Sequence, residues 1–214
     1  MARDLNLVDL QPPGLGTGTA VLAFVLLAHW WSRPEAEEVI TWLDAAEAEA
    51  SVRASMHGPG GPPPFSSRDW ELANLLDEHE RLFVGPGPVP CPPYESFWRE
   101  DVPIDVRRSL MGPCTADLRR LYAELGLEMA PAGGELPDHI AVELEALGYA
   151  LSSEPGYAQA RAIFFEHLRR WLPRLCRAVA HEAQAPFYRD LAEVTLQWMG
   201  PLEQHLGQLV DASP

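Results

Sequence analysis

The stretch DHIAVELE, residues 138–145, carries the side chains with the most chemical potential in this chain. His139 and Glu143 stand four apart, so a helix would set both on one face, with Asp138 at its start. Such a group could hold a divalent cation or act as an acid–base pair, which keeps a metal-dependent enzyme using Asp138, His139 and Glu143 as one reading. A metal site needs more ligands than this segment offers. The competing reading is local: Asp138 caps the helix N-terminus, where its charge suits the dipole, and His139 pairs with Glu143 along the helix.

Other catalytic spacings are missing from the sequence. It has no GxSxG elbow and no GxGxxG after a strand, and none of the seven histidines has a companion at HExxH spacing. Cys91, Cys114 and Cys176 are far apart and form no CxxC pair, which excludes a disulfide framework and zinc spacing and fits a reducing compartment. Cys91 has no neighbouring basic residue or helix N-terminus to make it a nucleophile. All 16 basic residues are arginine, so chemistry that needs an amine, including Schiff bases and a P-loop lysine, is excluded. The sequence therefore reads as a non-enzyme without a cofactor.

Two further classes are excluded by charge and hydropathy. A net charge of −15, with basic residues clustered no further than pairs such as Arg107–Arg108, does not suit nucleic acid. It would attract a basic partner. The apolar run at residues 19–31 is 13 residues long, short of the roughly 20 needed to span a bilayer. It follows Arg3, Asp4 and Asp9 too late to be a secretory signal. It reads as a buried core helix of a cytoplasmic protein with no stable membrane insertion.

The elements that must position these residues read as helices throughout. Helical patterns are expected at residues 20–31, 34–50 and 66–83, the last capped by Ser67 or Asp69 and carrying Trp70, Leu82 and Phe83 on its apolar stripe. A further one at 115–125 is ended by Gly126. Others follow at 138–151, 157–179 and 187–210. Pro/Gly loops interrupt them at 57–64 and 85–93, and APAGGELP at 130–137 is a candidate hinge. No alternating strand pattern occurs. The expectation is an all-α single domain over residues 1–214, with an N-terminal lobe at about 19–129, the hinge, and a C-terminal lobe at 138–214. Exchange of the C-terminal helices across such a hinge would give a domain-swapped dimer as an alternative to a monomer.

The loop GPGPVPCPPYESFW, residues 85–98, has five prolines between Pro86 and Pro93. Proline-rich segments are stiff and lose little entropy on docking; they also serve as spacers. The aromatics that follow favour recognition. Tyr94, Phe97 and Trp98, held close to Leu82 and Phe83, would line a groove, with Glu95, Glu100 and Asp101 at its rim.

Three stretches carry a resemblance to a known family. LFVGPGPVPCPPYESFW, residues 82–98, resembles the signature of the TorD/DmsD/NarJ redox-enzyme maturation chaperones. ELPDHIAVELEAL resembles their second signature, a hinge entering a helix, although Leu136 stands between Glu135 and Pro137 here. FFEHLRRWLPRL, residues 164–175, is similar to their His-Leu-x-x-Trp-x-Pro segment. The resemblance implies a cytoplasmic chaperone that binds the twin-arginine signal peptide, or another part, of the catalytic subunit of one molybdenum-containing oxidoreductase until its cofactor is inserted. It places peptide-binding residues at Leu82, Phe83, Pro92, Pro93, Tyr94 and Ser96, and at Asp138 and His139. A basic, apolar leader calls for an acidic rim around an aromatic groove, because arginine pairs bidentately with carboxylates. Glu95, Glu100, Asp101, Asp138 and Glu143 are the candidate carboxylates. Trp70, Phe83, Tyr94 and Phe97 are the candidate apolar wall, in the manner of a helix in a groove.

Overall fold

In the computed structural model, residues 17–34, 72–101, 103, 112–129, 135–152 and 154–211 are described. Among these, the regular elements are helices, and the only extended pairing is an isolated antiparallel bridge between Tyr94 and His139. The helices are α1 (Thr17–Trp31), α2 (Leu72–His79), the short α3 (Glu95–Trp98), α4 (Pro113–Glu124), α5 (Ile140–Leu151), α6 (Tyr157–Ala162), α7 (Arg169–Glu182) and α8 (Pro186–Asp211). Wider π turns extend α2 over Glu80–Val84 and join α6 to α7 over Ile163–Leu168. The expected helix at 34–50, the loop at 57–64, Ser67, Asp69, Trp70 and most of the expected hinge lie outside the described residues.

The apolar periodicity builds one continuous core. Phe24, Leu27 and Trp31 of α1, Leu118 and Tyr122 of α4, Leu144 and Leu147 of α5, Phe164, Trp171 and Leu175, and Trp198 of α8 are all buried in a single cluster. This core draws on residues from both sides of 130–137. Among the described residues the most extensive helix pairing is α1 against α5. It is permitted by Gly148, where an added Cβ would stand 3.1 Å from a Val25 methyl and 3.5 Å from the Val21 carbonyl oxygen. The buried tryptophan of α1 is also satisfied, since Trp31 Nε1 donates to Thr195 Oγ1 at 3.0 Å.

Local signals end the elements as their chemistry requires. Gly126, at φ +74°, closes α4 in a Schellman turn: Leu127 N–H donates to Tyr122 O at 2.9 Å and Gly126 N–H to Ala123 O at 3.0 Å. The turn between α7 and α8 is clamped from α2. Buried Glu78 accepts from Gln184 and Ala185 N–H ahead of α8, while Arg81 donates to the Glu182 carbonyl at 2.8 Å.

The expectation for the first helix needs one correction. Ala20, Ala23, Phe24, Leu27, Trp30 and Trp31 are buried, but Val25 is 39% exposed. The large side chains Phe24 and Trp31 pack toward Trp198 and Thr195 of α8 and toward Phe83, whereas Val25 lies at the α5 seam beside Gly148 and stays partly open. Among the described residues no helix is long and apolar enough to cross a membrane.

Candidate functional site

The proline loop is fastened to the body at both ends and in its middle. Where it leaves the π turn, Cys91 N–H donates to Leu82 O at 3.0 Å. Within it, Trp98 Nε1 donates to Pro92 O at 2.7 Å. At its far end it pairs with the entry to α5. Ile140 N–H donates to Pro93 O at 2.9 Å and Glu95 N–H to Asp138 O at 2.8 Å. Ser96 N–H donates to Asp138 Oδ2 at 3.2 Å, Tyr94 and His139 meet ring edge to face at 5.2 Å, and Tyr122 OH donates to Pro137 O at 2.8 Å.

These contacts revise the expected roles. Asp138 caps a helix, but not its own: it supplies acceptors to the N-terminus of α3, some forty residues earlier in the chain. His139 is the N-cap of α5, its Nδ1 accepting from Ala141 N–H at 3.2 Å. The expected His139–Glu143 pair is not made. The His139 Nε2 lies 4.0 Å from Glu135, and Glu143 Oε2 accepts from Trp171 Nε1 at 3.4 Å. Asp138, His139 and Glu143 therefore serve three different partners and do not converge as a metal or acid–base group. Among the described residues no cluster of three or more His, Cys, Asp or Glu side chains is arranged to hold a metal ion.

The expected acidic rim is also rearranged. Glu95, Asp138 and Glu143 are fully buried. Glu95 binds Arg99 through one oxygen and meets His167 Nδ1 at 2.8 Å through the other. The second His167 nitrogen lies 3.2 Å from Asp117. Arg99 continues the chain to Asp101 at 2.5 and 2.6 Å and to the Glu166 carbonyl at 3.0 Å. Glu100 is engaged by Arg174, which also donates to the Trp98 carbonyl at 3.1 Å. Glu95, Glu100 and Asp101 are thus paired with groups that hold the loop and α3 against α4 and the α6–α7 segment, Asp138 ties α3 to the entry of α5, and Glu143 meets Trp171.

Electrostatics follow from this burial. Desolvation raises the Glu143 carboxyl well above its ordinary range, with Glu95 and Asp138 adding to the shift. Burial also raises Asp138, against the opposing hydrogen bonds from Ser96. It pushes the imidazole of His139 down to about 4, which keeps the ring neutral and leaves Nδ1 to accept from Ala141 N–H. The Cys91 thiol is pushed up to about 12 by burial, so it is no nucleophile.

The expected aromatic groove separates into two clusters. Phe83 is buried edge-on among Trp31, His79 and Tyr188, at centroid distances of 5.8, 5.0 and 5.5 Å. Tyr94 is half-buried and donates to Glu135 at 3.1 Å, and Phe97, 51% exposed, stacks edge-on with Trp98 at 5.2 Å. Leu82, Pro93 and Ser96 are buried, Pro92 is half-buried, and Trp70 lies outside the described residues. Sequence reasoning missed Arg99, His167 and Asp117. A signal existed for the first: Glu95 and Arg99 stand at i and i+4 in ESFWR.

The helical fold thus holds a stiff loop pinned beside exposed Phe97 and half-buried Tyr94. The family model of the nitrate reductase delta subunit matches residues 40–177. The chain belongs to that family, the one its loop, hinge and His-Leu motifs resemble. It is 29% identical over 192 residues to the Tat proofreading chaperone DmsD of Salmonella typhi, covering 86% of this chain and 90% of the relative. The protein of the same name from Salmonella typhimurium matches at the same identity and coverage. A crystal structure of an Archaeoglobus fulgidus protein, assigned as a redox enzyme maturation protein, shares the fold with a TM-score of 0.62. It is 20% identical and covers 92% of this chain and 99% of that one. The curated relatives are chaperones, not enzymes, and this chain is a chaperone of the same family.

Proposed function

We propose that the chain is a system-specific cytoplasmic chaperone for one molybdenum-containing oxidoreductase. It binds the twin-arginine-type leader, or the catalytic subunit itself, while the cofactor is inserted and the enzyme assembled. The observation that carries this reading is the pinned loop. A backbone bridge at Tyr94–His139 and the Asp138 contacts to α3 fix a proline-stiffened segment that leaves Phe97 in solvent and Tyr94 half-exposed. A preorganised apolar display loses little entropy on docking. The names of the Salmonella relatives support a client that carries a Tat leader.

Within this reading the peptide-binding residues divide. Pro92, Tyr94 and Phe97 make contact, and Trp70 completes the apolar set. Leu82, Phe83, Pro93, Ser96, Asp138, His139 and Glu143 position the loop from within. The chain works as one domain, as a monomer or as a dimer exchanging its C-terminal helices. A pull-down of the tagged protein from its native lysate, read by mass spectrometry, tests the reading. Recovery of the catalytic subunit of a molybdenum oxidoreductase is the expected result. Repeated recovery of no such subunit from cells that express one overturns it.

A further inference from the structure

Between α1 and α5 runs an open groove of about 740 Å³, a volume typical of ligand sites. Val21, Val25 and Ala28 form one wall, and Val142, Ala146 and Tyr149 the other. Tyr149 is 50% and Val25 39% exposed, so two large apolar side chains stay open along this groove. The groove exists because Gly148 lets the two helices approach closely beneath it.

Its rim is acidic. Glu128, Glu135 and Glu145 line it, and His29 is the only basic lining residue among those described. Several carboxylates elsewhere are paired with arginine: Glu78 with Arg81, Asp117 and Glu124 with Arg120, Glu100 with Arg174, Glu203 with Arg169. Among the described residues no arginine pairs with Glu128, Glu135 or Glu145. Glu135 also accepts from the Tyr94 hydroxyl, so one end of the groove opens at the pinned loop.

We infer that the α1–α5 groove is the seat of an arginine-bearing apolar segment, with Val25 and Tyr149 against its apolar side chains and Glu128, Glu135 and Glu145 on its guanidinium groups. The inference rests on the function proposed above and takes the client's N-terminal leader as the occupant. Charge complementarity selects this occupant: an apolar trough with three carboxylates and no arginine among its described lining residues favours a basic, apolar segment over an acidic or purely apolar one.

The probe is a synthetic, fluorescently labelled peptide with two adjacent arginines followed by a leucine- and alanine-rich run, compared with its Arg→Gln counterpart. The variants are Glu128→Gln/Glu145→Gln, which changes only exposed charge, Val25→Arg, which blocks the trough, and Tyr94→Ala/Phe97→Ala at the loop. Far-UV circular dichroism and urea midpoints confirm that each is folded. The groove variants are expected to weaken binding by about tenfold, and the Glu→Gln change is expected to have little further effect on the Arg→Gln peptide. Wild-type affinity should fall as salt rises.

If the groove variants bind like wild type while the loop variant loses affinity, the groove inference is wrong and the proposed function stands. If neither peptide binds wild-type protein and no molybdenum oxidoreductase subunit is recovered from lysate, both are wrong. If Val25→Arg converts a dimer to a monomer and leaves peptide affinity unchanged, the groove is a face between two copies, and the inference is again overturned.

Discussion

Replacing Glu95 by alanine should loosen the loop and lower global stability together. The carboxylate is fully buried, holds Arg99 on one oxygen and His167 at 2.8 Å on the other, and its own N–H is anchored on Asp138. Removing one partner from a buried ionic network costs about 3–5 kcal/mol, because the remaining groups stay desolvated without a counterpart. Arg99 keeps Asp101 and the Glu166 carbonyl, so the lower end, about 3 kcal/mol, is expected. For a chain of this length that lowers Tm by roughly 6–12 °C. Glu95→Gln retains the shape and one acceptor and should cost about 1–2 kcal/mol. Urea unfolding followed by far-UV circular dichroism measures both, and the losses should be nearly the same in 0.05 and 0.5 M NaCl because buried pairs are little screened. A loss under about 1 kcal/mol for Glu95→Ala, or one abolished by salt, would refute the claim that this network fastens the loop.

Three other predictions follow from the same geometry. Burial holds His79 and His139 down to about 4, while both titrate near 6.5 when unfolded. The unfolded chain therefore takes up protons first, and stability should fall by about 2 kcal/mol per histidine between pH 6.5 and 5, read from urea midpoints. The raised carboxyls act in the opposite direction. Their cost at neutral pH is relieved by acid, so Glu143→Gln should match or exceed wild-type stability at pH 8 and lose stability more steeply on acidification; a loss above about 1 kcal/mol at pH 8 would contradict this. Stability and binding should separate between Leu82 and Phe97: Leu82→Ala creates a cavity costing about 2–5 kcal/mol, whereas Phe97→Ala changes stability by less than about 0.5 kcal/mol and weakens client binding.

The fold was legible because its signals are local. The apolar spacing at 157–179 and 187–210 foretold the segments that run from Tyr157 to Glu182 and from Pro186 to Asp211, and Gly126 marked the end of α4. The π turns at Glu80–Val84 and Ile163–Leu168 were not legible, since one widened turn barely disturbs a helical pattern. The site was harder to read because its decisive contacts are distant in sequence. Asp138 looked like the cap of the helix that follows it, yet its acceptor atoms serve Ser96 and Glu95. Phe83 stood near Tyr94 in sequence, but its ring turns inward to Trp31 and Tyr188. Glu95, Asp138 and Glu143 looked like surface charge; only the positions of Arg99, His167 and Trp171 reveal that the first and last are partnered inside the core. The α1–α5 groove carries no motif, because helix crossing rather than spacing creates it.

Hydrogen–deuterium exchange of the purified protein, with and without the N-terminal leader of the oxidoreductase it captures, tests the central claim most directly. The account predicts new protection concentrated at residues 92–98 and along the facing surfaces of α1 and α5, with the α7–α8 turn unchanged. Protection confined to α7 and α8, or none at saturating leader, would contradict it.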